Sequence, residues 1–207
     1  LIDRGRLGAS LSQAMDQHRR QWMRTLIERD LRIIDTSIMA GLQNGTAFFA
    51  STSLLALGGT LTLLSQTERM IAVLTDLAIT PIPSPAQVEW KVVGLALIYA
   101  YAFFKFGWAY RLFNYASILI GAVPLAAERE TPAALIAADR AADMQIAAAR
   151  HFNRGLRAFF FSLGFLGWFL GPLAFLVTTT LVLIILLRRQ FGSEPQRIAA
   201  RGLGEHQ

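Results

Sequence analysis

Long runs of residues without charge alternate with arginine-rich runs along this chain. Residues 36–64 and residues 158–187 each contain no charged side chain. Residues 88–123 are also apolar for most of their length. A helix needs about 20 residues to cross the roughly 30 Å core of a bilayer, so each run is long enough to span it. The pattern predicts an all-α, polytopic helical membrane protein.

The segment 88–123 predicts one helix of roughly 54 Å, which is much longer than the bilayer core is thick. Its start is marked by a capping box formed by Ser84 and Gln87. Lys105 and Arg111 lie inside the segment. In one interpretation Lys105 snorkels to the interface and Arg111 lies beyond it in the cytoplasm. In the other, Lys105 stays at membrane depth and faces a polar cavity, where a charge costs several kcal/mol unless it is paired or hydrated.

The second charge-free run contains Gly171-Pro172 near its centre. A hairpin at this point predicts two membrane segments, 150–170 and 172–190, and four segments in the chain. A single kinked span, giving three segments, is the alternative. Because arginine-rich ends favour the cytoplasmic side, the arginines after residue 187 favour the hairpin, which returns the tail to that side.

Two further helices are amphipathic. Residues 10–34 begin with a capping box, Ser10 to Gln13, and combine an apolar face with many arginines. We interpret this segment as an interfacial helix whose arginines contact headgroups, with an arginine-rich vestibule around a pore as the alternative. Residues 132–149 are alanine-rich, start with the helix-initiating pair Thr131-Pro132, and are predicted to be a cytoplasmic helix.

The segment 36–64 is rich in small residues, which let helices approach closely in lipid. The glycines predicted to pack against another helix are Gly41, Gly45, Gly58 and Gly59. Gln43 and Asn44 lie between the first two. These amides either find partners in a packed helix pair or line a water-filled path.

Composition supports a membrane location for a single domain covering residues 1–207. Of the residues, 54% are hydrophobic and only 16% are charged. The net charge of +6 indicates attraction to anionic lipid headgroups rather than to nucleic acid, for which no module is visible. The chain starts at Leu1 rather than Met, so we expect that a leading segment is missing.

No motif for catalysis, a metal or a cofactor is recognisable. Cysteine is absent, which excludes thiolate chemistry. His18, His151 and His206 are far apart in sequence, and none has a metal-ligating partner at helical spacing. Asp139 and Asp143 are interpreted as part of a solvated helix face. We therefore predict no catalytic residue, no metal site and no cofactor.

Five blocks carry a family resemblance: RRQWM (19–23), FFASTSLLALGG (48–59), YAFFKFGWAYRLFNY (101–115), RHFNRGLRAFFF (150–161) and RRQF (188–191). Together they resemble the membrane-protein family catalogued as domain of unknown function five-ninety-nine, found in proteobacteria with distant plant relatives. The resemblance implies a multi-span protein of the bacterial inner membrane and no particular activity. It also implies a further hydrophobic segment before Leu1.

Three functional hypotheses follow. The first is a homo-oligomeric channel or transporter-like pore for small anions. Its candidate anion-binding and pore-lining residues are Lys105, Arg111, Arg154, Arg157, Gln43 and Asn44. The second is a structural or assembly subunit that binds other membrane proteins through its small-residue faces. The third, a membrane enzyme, is disfavoured because no acid–base or metal constellation is present.

Overall fold

The structure, a computed structural model, describes residues 10–76, 82–125 and 129–201. Leu1 and His206, on which two expectations rest, lie outside these residues. The described residues form seven helices and no strand, which confirms the all-α prediction. The helices are α1 (Leu11–Ile27), α2 (Ile33–Leu64), α3 (Thr67–Asp76), α4 (Pro85–Gly121), α5 (Pro132–Leu170), α6 (Pro172–Phe191) and α7 (Glu194–Ala200).

Contacts between residues divide the chain into two compact units where the sequence predicts one domain. Unit 1 consists of residues 1–44, 109–150 and 185–207. Unit 2 consists of residues 45–108 and 151–184. The points of division fall inside α2, α4, α5 and α6, so no linker in the sequence marks them.

Three helices of the described chain are long and apolar enough to cross a membrane. They are Ile33–Leu64, Pro85–Gly121 and the stretch Pro172–Ala200. Many of their apolar side chains are not covered by protein, especially along α2, and no residue of α6 is buried. Because water would penalise so much exposed apolar surface, these faces belong in lipid. The chain is a helical membrane protein.

The core of unit 1 forms where α1 packs against small residues of α5. Met23, Leu26 and Ile27 of α1 are buried in one cluster with residues of α2, α4 and α5. The buried alanines of α5 in this cluster are Ala134, Ala138, Ala141, Ala142 and Ala148. The apolar face of α1, which the sequence assigns to the membrane interface, is therefore covered by protein.

The arginines of α1 contact acidic side chains. Arg20 Nη2 lies 2.6 Å from Asp143 Oδ1 of α5. Asp16 Oδ1 lies 3.3 Å from Arg19, and Asp16 Oδ2 lies 3.3 Å from Arg150. Burial lowers the pKa of the Arg19 guanidinium, and the charge of Asp16 opposes that shift. The sequence predicts Asp139 and Asp143 on a solvated helix face. In the structure Asp143 pairs with Arg20 of α1.

The predicted helix 10–34 is interrupted, because α1 ends at Ile27 and α2 begins at Ile33. The membrane segment predicted at residues 36–64 therefore begins three residues earlier in the structure, at Ile33. Two groups of side-chain hydrogen bonds hold the connection between α1 and α2. Trp22 Nε1 and Arg29 Nη1 both donate to Asp35 Oδ1, at 2.6 and 2.5 Å. Arg32 donates to the carbonyls of Val123 and Pro124, which follow the end of α4.

The predicted helix 132–149 and membrane segment 150–170 form a single helix, α5. The sequence changes there from alanine-rich to aromatic, with a basic cluster between. A change of composition does not end a helix unless a proline or a competing cap breaks the hydrogen-bond ladder, and neither is present at 149–150. The predicted helix 88–123 is α4, which starts at Pro85 after the predicted Ser84–Gln87 capping box and ends at Gly121.

Unit 2 is built on aromatic rings and on glycines beneath them. The ring of Phe106 lies 5.5 Å from Phe49 and 5.5 Å from Phe152, between centroids. A Cβ at Gly155 would meet Phe106 at 2.8 Å, and one at Gly94 would meet Phe165 at 2.7 Å. These helices of unit 2 therefore approach each other at glycines, where an added Cβ would force the facing ring to shift.

The chain reverses at Gly171, as the Gly171-Pro172 pair predicts. Gly171 has φ = 129°, a conformation that glycine adopts without strain. After the turn α6 packs back on α5. Thr178 Oγ1 donates to the Gly164 carbonyl at 2.7 Å, and a Cβ at Gly167 would meet the Ala174 carbonyl oxygen at 2.8 Å. The hairpin leaves no room for a larger side chain at either glycine of α5.

Replacing Asp35 by alanine is expected to lower the free energy of unfolding by about 2–4 kcal/mol, because the change leaves Trp22 and Arg29 without their buried acceptor. The matched control is Asp143→Ala, which removes an Asp–Arg pair of nearly equal length but with both side chains exposed. We expect that control to cost less than about 1 kcal/mol. Denaturation of the full chain in detergent, followed by far-UV circular dichroism, measures both values. Equal losses in the two variants would show that the Asp35 cluster adds no special stability.

Candidate functional site

A group of cations in unit 2 forms the candidate site. The charges of Lys105 of α4 and Arg154 of α5 both act on the imidazole of His151, and Arg154 follows His151 by three residues on the same helix. Lys105 is half-buried, with Nζ 5.1 Å from the centre of the Tyr101 ring. Arg154 is exposed. We call Lys105, His151 and Arg154 the cation cluster.

One atom of the cation cluster is unsatisfied. His151 Nδ1 is buried and has no hydrogen-bond partner among the described residues. The Trp108 ring stands edge-on to the imidazole, with 6.4 Å between centroids. A buried ring nitrogen beside two cations can donate its proton to an anionic or polar group that enters the site. The cluster therefore contains several N–H donors of the kind that bind anions.

No acid compensates these charges within the described part of the chain. Its five ion pairs all lie in unit 1, and none includes Lys105 or Arg154. Uncompensated cations attract anions most strongly where low-dielectric walls surround them. Half-burial of Lys105 among aromatic rings supplies such walls on one side.

Arg157 and Arg111 occupy different surroundings. Arg157 is exposed on α5, three residues after Arg154, so the two side chains are neighbours on the helix surface. Arg111 belongs to unit 1, where Nε donates to Tyr115 Oη at 3.0 Å and the guanidinium lies 5.5 Å from that ring. The structure thus brings Lys105 and Arg154 together around His151 and gives Arg111 a local partner.

Gln43 and Asn44 also differ in their hydrogen-bond partners. Gln43 Nε2 donates to Asn114 Oδ1 at 2.9 Å and to Ser117 Oγ at 3.0 Å, which ties α2 to α4 inside unit 1. Its amide is thus engaged in helix packing, one of the two alternatives that the sequence leaves open. Asn44 is exposed, and its side chain makes no hydrogen bond to any residue that the structure describes. Only Asn44 presents a free amide on this face of α2.

The glycines of α2 make no close approach within the chain. A Cβ at Gly41, Gly45, Gly58 or Gly59 would have nothing within 4 Å. The glycines that do pack are Gly94, Gly155, Gly164 and Gly167. None of these four was predicted from the sequence to pack, although Gly164 and Gly167 lie three residues apart on the face of α5 that contacts Thr179 and Thr178.

Two buried polar residues were also missed. Asp35 is fully buried with one carboxylate oxygen unpartnered. Gln145 is fully buried, with Nε2 3.2 Å from Met39 Sδ and Oε1 unpartnered. Asp35 was recognisable as the acid directly before the first charge-free run, whereas nothing in the sequence distinguishes Gln145. Across residues 10–76, 82–125 and 129–201, no three His, Asp or Glu side chains group as metal ligands.

Fold and composition together define a helical membrane protein with cations held in an apolar unit. Within that class, the chain belongs to the family described as "Protein of unknown function, DUF599", whose profile matches residues 3–195. This match confirms the resemblance noted from the sequence blocks. No curated protein and no solved structure matches the chain.

Iodide should quench Trp108 fluorescence through the cation cluster. We expect Lys105→Ala to weaken iodide quenching of Trp108 about two- to fivefold, because one uncompensated charge is removed beside the ring. The Trp108 signal is the difference between the wild-type chain and Trp108→Phe. Lys91→Ala is the matched control, since it removes the same charge from α4 roughly 21 Å away along the helix.

Acrylamide, a neutral quencher, should act equally on Lys105→Ala and on the wild type. A parallel loss of acrylamide quenching would mean that the substitution changed access to Trp108. In that case the cluster would not be concentrating anions.

Proposed function

We propose that this protein is a multi-pass protein of the bacterial inner membrane that conducts small anions as a homo-oligomeric channel or transporter-like pore. The observation that carries the proposal is the cation cluster, which lacks an acidic partner in the described chain and lies in the unit with the aromatic, apolar core. Such cations cost free energy in an apolar setting, and anion binding is the function that would retain them.

Four membrane segments fit this proposal. In unit 2 the helices contribute residues 45–64, 85–108, 151–170 and 172–184, and α6 continues to residue 191. Each run is close to the length that a bilayer requires. The turn at Gly171 supports counting α5 and α6 as separate segments, although α5 was not among the three helices apolar enough to be recognised as spans.

Charge distribution supports the orientation. Most described arginines belong to unit 1, including five in residues 19–32 and two at the end of α6. Because arginine-rich segments stay on the cytoplasmic side, unit 1 is assigned to the cytoplasm. The family resemblance supports a location in the inner membrane of bacteria.

The open face of α2 supports a homo-oligomer. Gly41, Gly45, Gly58 and Gly59 lie on it without neighbours, and the bulky Phe48 and Leu55 between them are 65% and 77% exposed. Small residues beside large ones let two such helices interlock in lipid. A second copy of the chain would cover this face and supply further walls for a path.

In liposomes, the purified chain should conduct iodide or chloride. We expect Lys105→Ala to lower the flux at least about fivefold, because it removes the half-buried charge of the cluster. Lys105→Arg keeps the charge and is the matched control, which should retain most of the flux. Unchanged flux in Lys105→Ala would remove Lys105 from the mechanism.

The second candidate function is a structural or assembly subunit. The same exposed glycines favour it, since they would equally accept a helix of another membrane protein. In that case the surface of α2 would be covered by a different chain, and the purified protein alone would conduct nothing.

Cysteine cross-linking separates the two functions, because the chain has no cysteine of its own. We expect oxidised Asn44→Cys to form a covalent homodimer in native membranes, since Asn44 lies beside the open glycines. Leu183→Cys, exposed on the apolar surface of α6, is the control and should form much less. An adduct of a different mass, identified by mass spectrometry in place of the homodimer, would instead support the assembly subunit.

A further inference from the structure

A cavity in unit 2 lies under α3, away from the residues of the cation cluster. Its volume is about 350 Å³, within the range of about 300–1,000 Å³ typical of small-molecule sites. Its apolar lining comes from Leu63, Met70, Leu74, Leu95, Leu166 and Phe169. Four helices of unit 2 thus contribute to the walls.

The cavity is held by a small core of its own. Leu74 of α3 packs with Val88 and Val92 of α4, both fully buried. Met70, Ile71 and Phe169 pack against the same cluster. The apolar face of the amphipathic α3 is thereby packed against α4, so the cavity is part of the folded structure.

Polar groups are confined to one part of the lining, where Gln66 and Arg69 stand. Arg69 is exposed and has no ion pair among the described residues. Two acids share its helix, Glu68 and Asp76, and neither lies within ion-pair distance of it. Arg69 is therefore a cation available at the edge of an apolar cavity.

The neighbouring residues have the character of a membrane interface. Trp90 of α4 is 72% exposed, close in sequence to the core residues Val88 and Val92. Lys91 Nζ donates to the Trp168 carbonyl at 2.8 Å and lies 5.8 Å from the centre of that ring. Exposed tryptophans such as Trp90 are typical of the headgroup level of a bilayer. Beside that level, the edge of the cavity meets headgroups and its apolar walls meet acyl chains.

We propose that this cavity is a binding site for an anionic phospholipid, with one acyl chain inside the cavity and the phosphate on Arg69. The apolar walls match a hydrocarbon chain, which favours removal from water or from a disordered lipid shell. Arg69 matches a phosphate, for which its planar guanidinium provides paired donors. Gln66 supplies a further donor for the headgroup oxygens.

Lipid selectivity tests the site in the full chain. Native mass spectrometry would follow titration with phosphatidylglycerol and, separately, with phosphatidylcholine of the same acyl chains. We expect tighter binding of phosphatidylglycerol and a loss of about fivefold in Arg69→Gln. Arg140→Gln, which removes an exposed arginine of α5 outside any described ion pair, is the matched control and should bind as the wild type does.

A second variant tests the acyl chain. Val73 lines the cavity and is 52% exposed, so Val73→Trp can fill the cavity without disturbing the buried core. We expect it to weaken binding of both lipids by a similar factor, with helicity by circular dichroism unchanged. Equal affinities for the two lipids, or Arg69→Gln indistinguishable from Arg140→Gln, would overturn the phosphate contact. Full binding in Val73→Trp would overturn acyl occupancy of the cavity and leave only lipid attached to the outer surface.

Discussion

The constraint on which this structure depends is the placement of its described ion pairs, all of which lie in unit 1. In unit 1, arginines meet aspartates at 2.5–3.9 Å, and Asp35 is buried only because Trp22 and Arg29 both donate to it. In unit 2 no described cation has an acidic partner; Lys105 lies over the Tyr101 ring, and Lys91 contacts the ring and the carbonyl of Trp168. Rings and carbonyl oxygens stabilise a cation without neutralising it, so the site keeps its attraction for anions.

Glycine serves two different purposes in the same chain. Along α5, Gly155 and Gly167 admit a ring or a helix backbone within 3.0 Å of where a Cβ would stand, and Gly164 leaves 3.1 Å to Thr179 of α6. Along α2, the glycines face open space, and their lack of a side chain does nothing for the fold of a single chain. Each glycine inside a helix costs about 1 kcal/mol relative to alanine, so several at unoccupied positions need another explanation. Contact with a second helix in the membrane provides one.

Local signals in the sequence predicted helix ends well. The capping boxes at Ser10 and Ser84 and the turn at Gly171 all depend on neighbouring residues, and all are present in the structure. Contacts between residues far apart in the chain could not be predicted from the sequence. The end of α1 at Ile27 depends on Arg32 meeting the carbonyls after α4, about 90 residues away in the chain. The direction that a glycine or Gln43 faces depends likewise on which helix lies beside it, and helical periodicity is weak in segments that are apolar on all sides.

The candidate site illustrates the same limit. The sequence identified Lys105 and Arg154 as candidate anion-binding residues but did not include His151 among them. The structure places the imidazole beside both, with an unpartnered Nδ1. The cation cluster and the open face of α2 share no residue, so anion binding and helix association can be lost independently. A protein that served only assembly would need the glycine face and would gain nothing from cations kept without acids in unit 2. The proposed anion pathway rests on the cation cluster, and the proposed homo-oligomer rests on the open glycine face of α2.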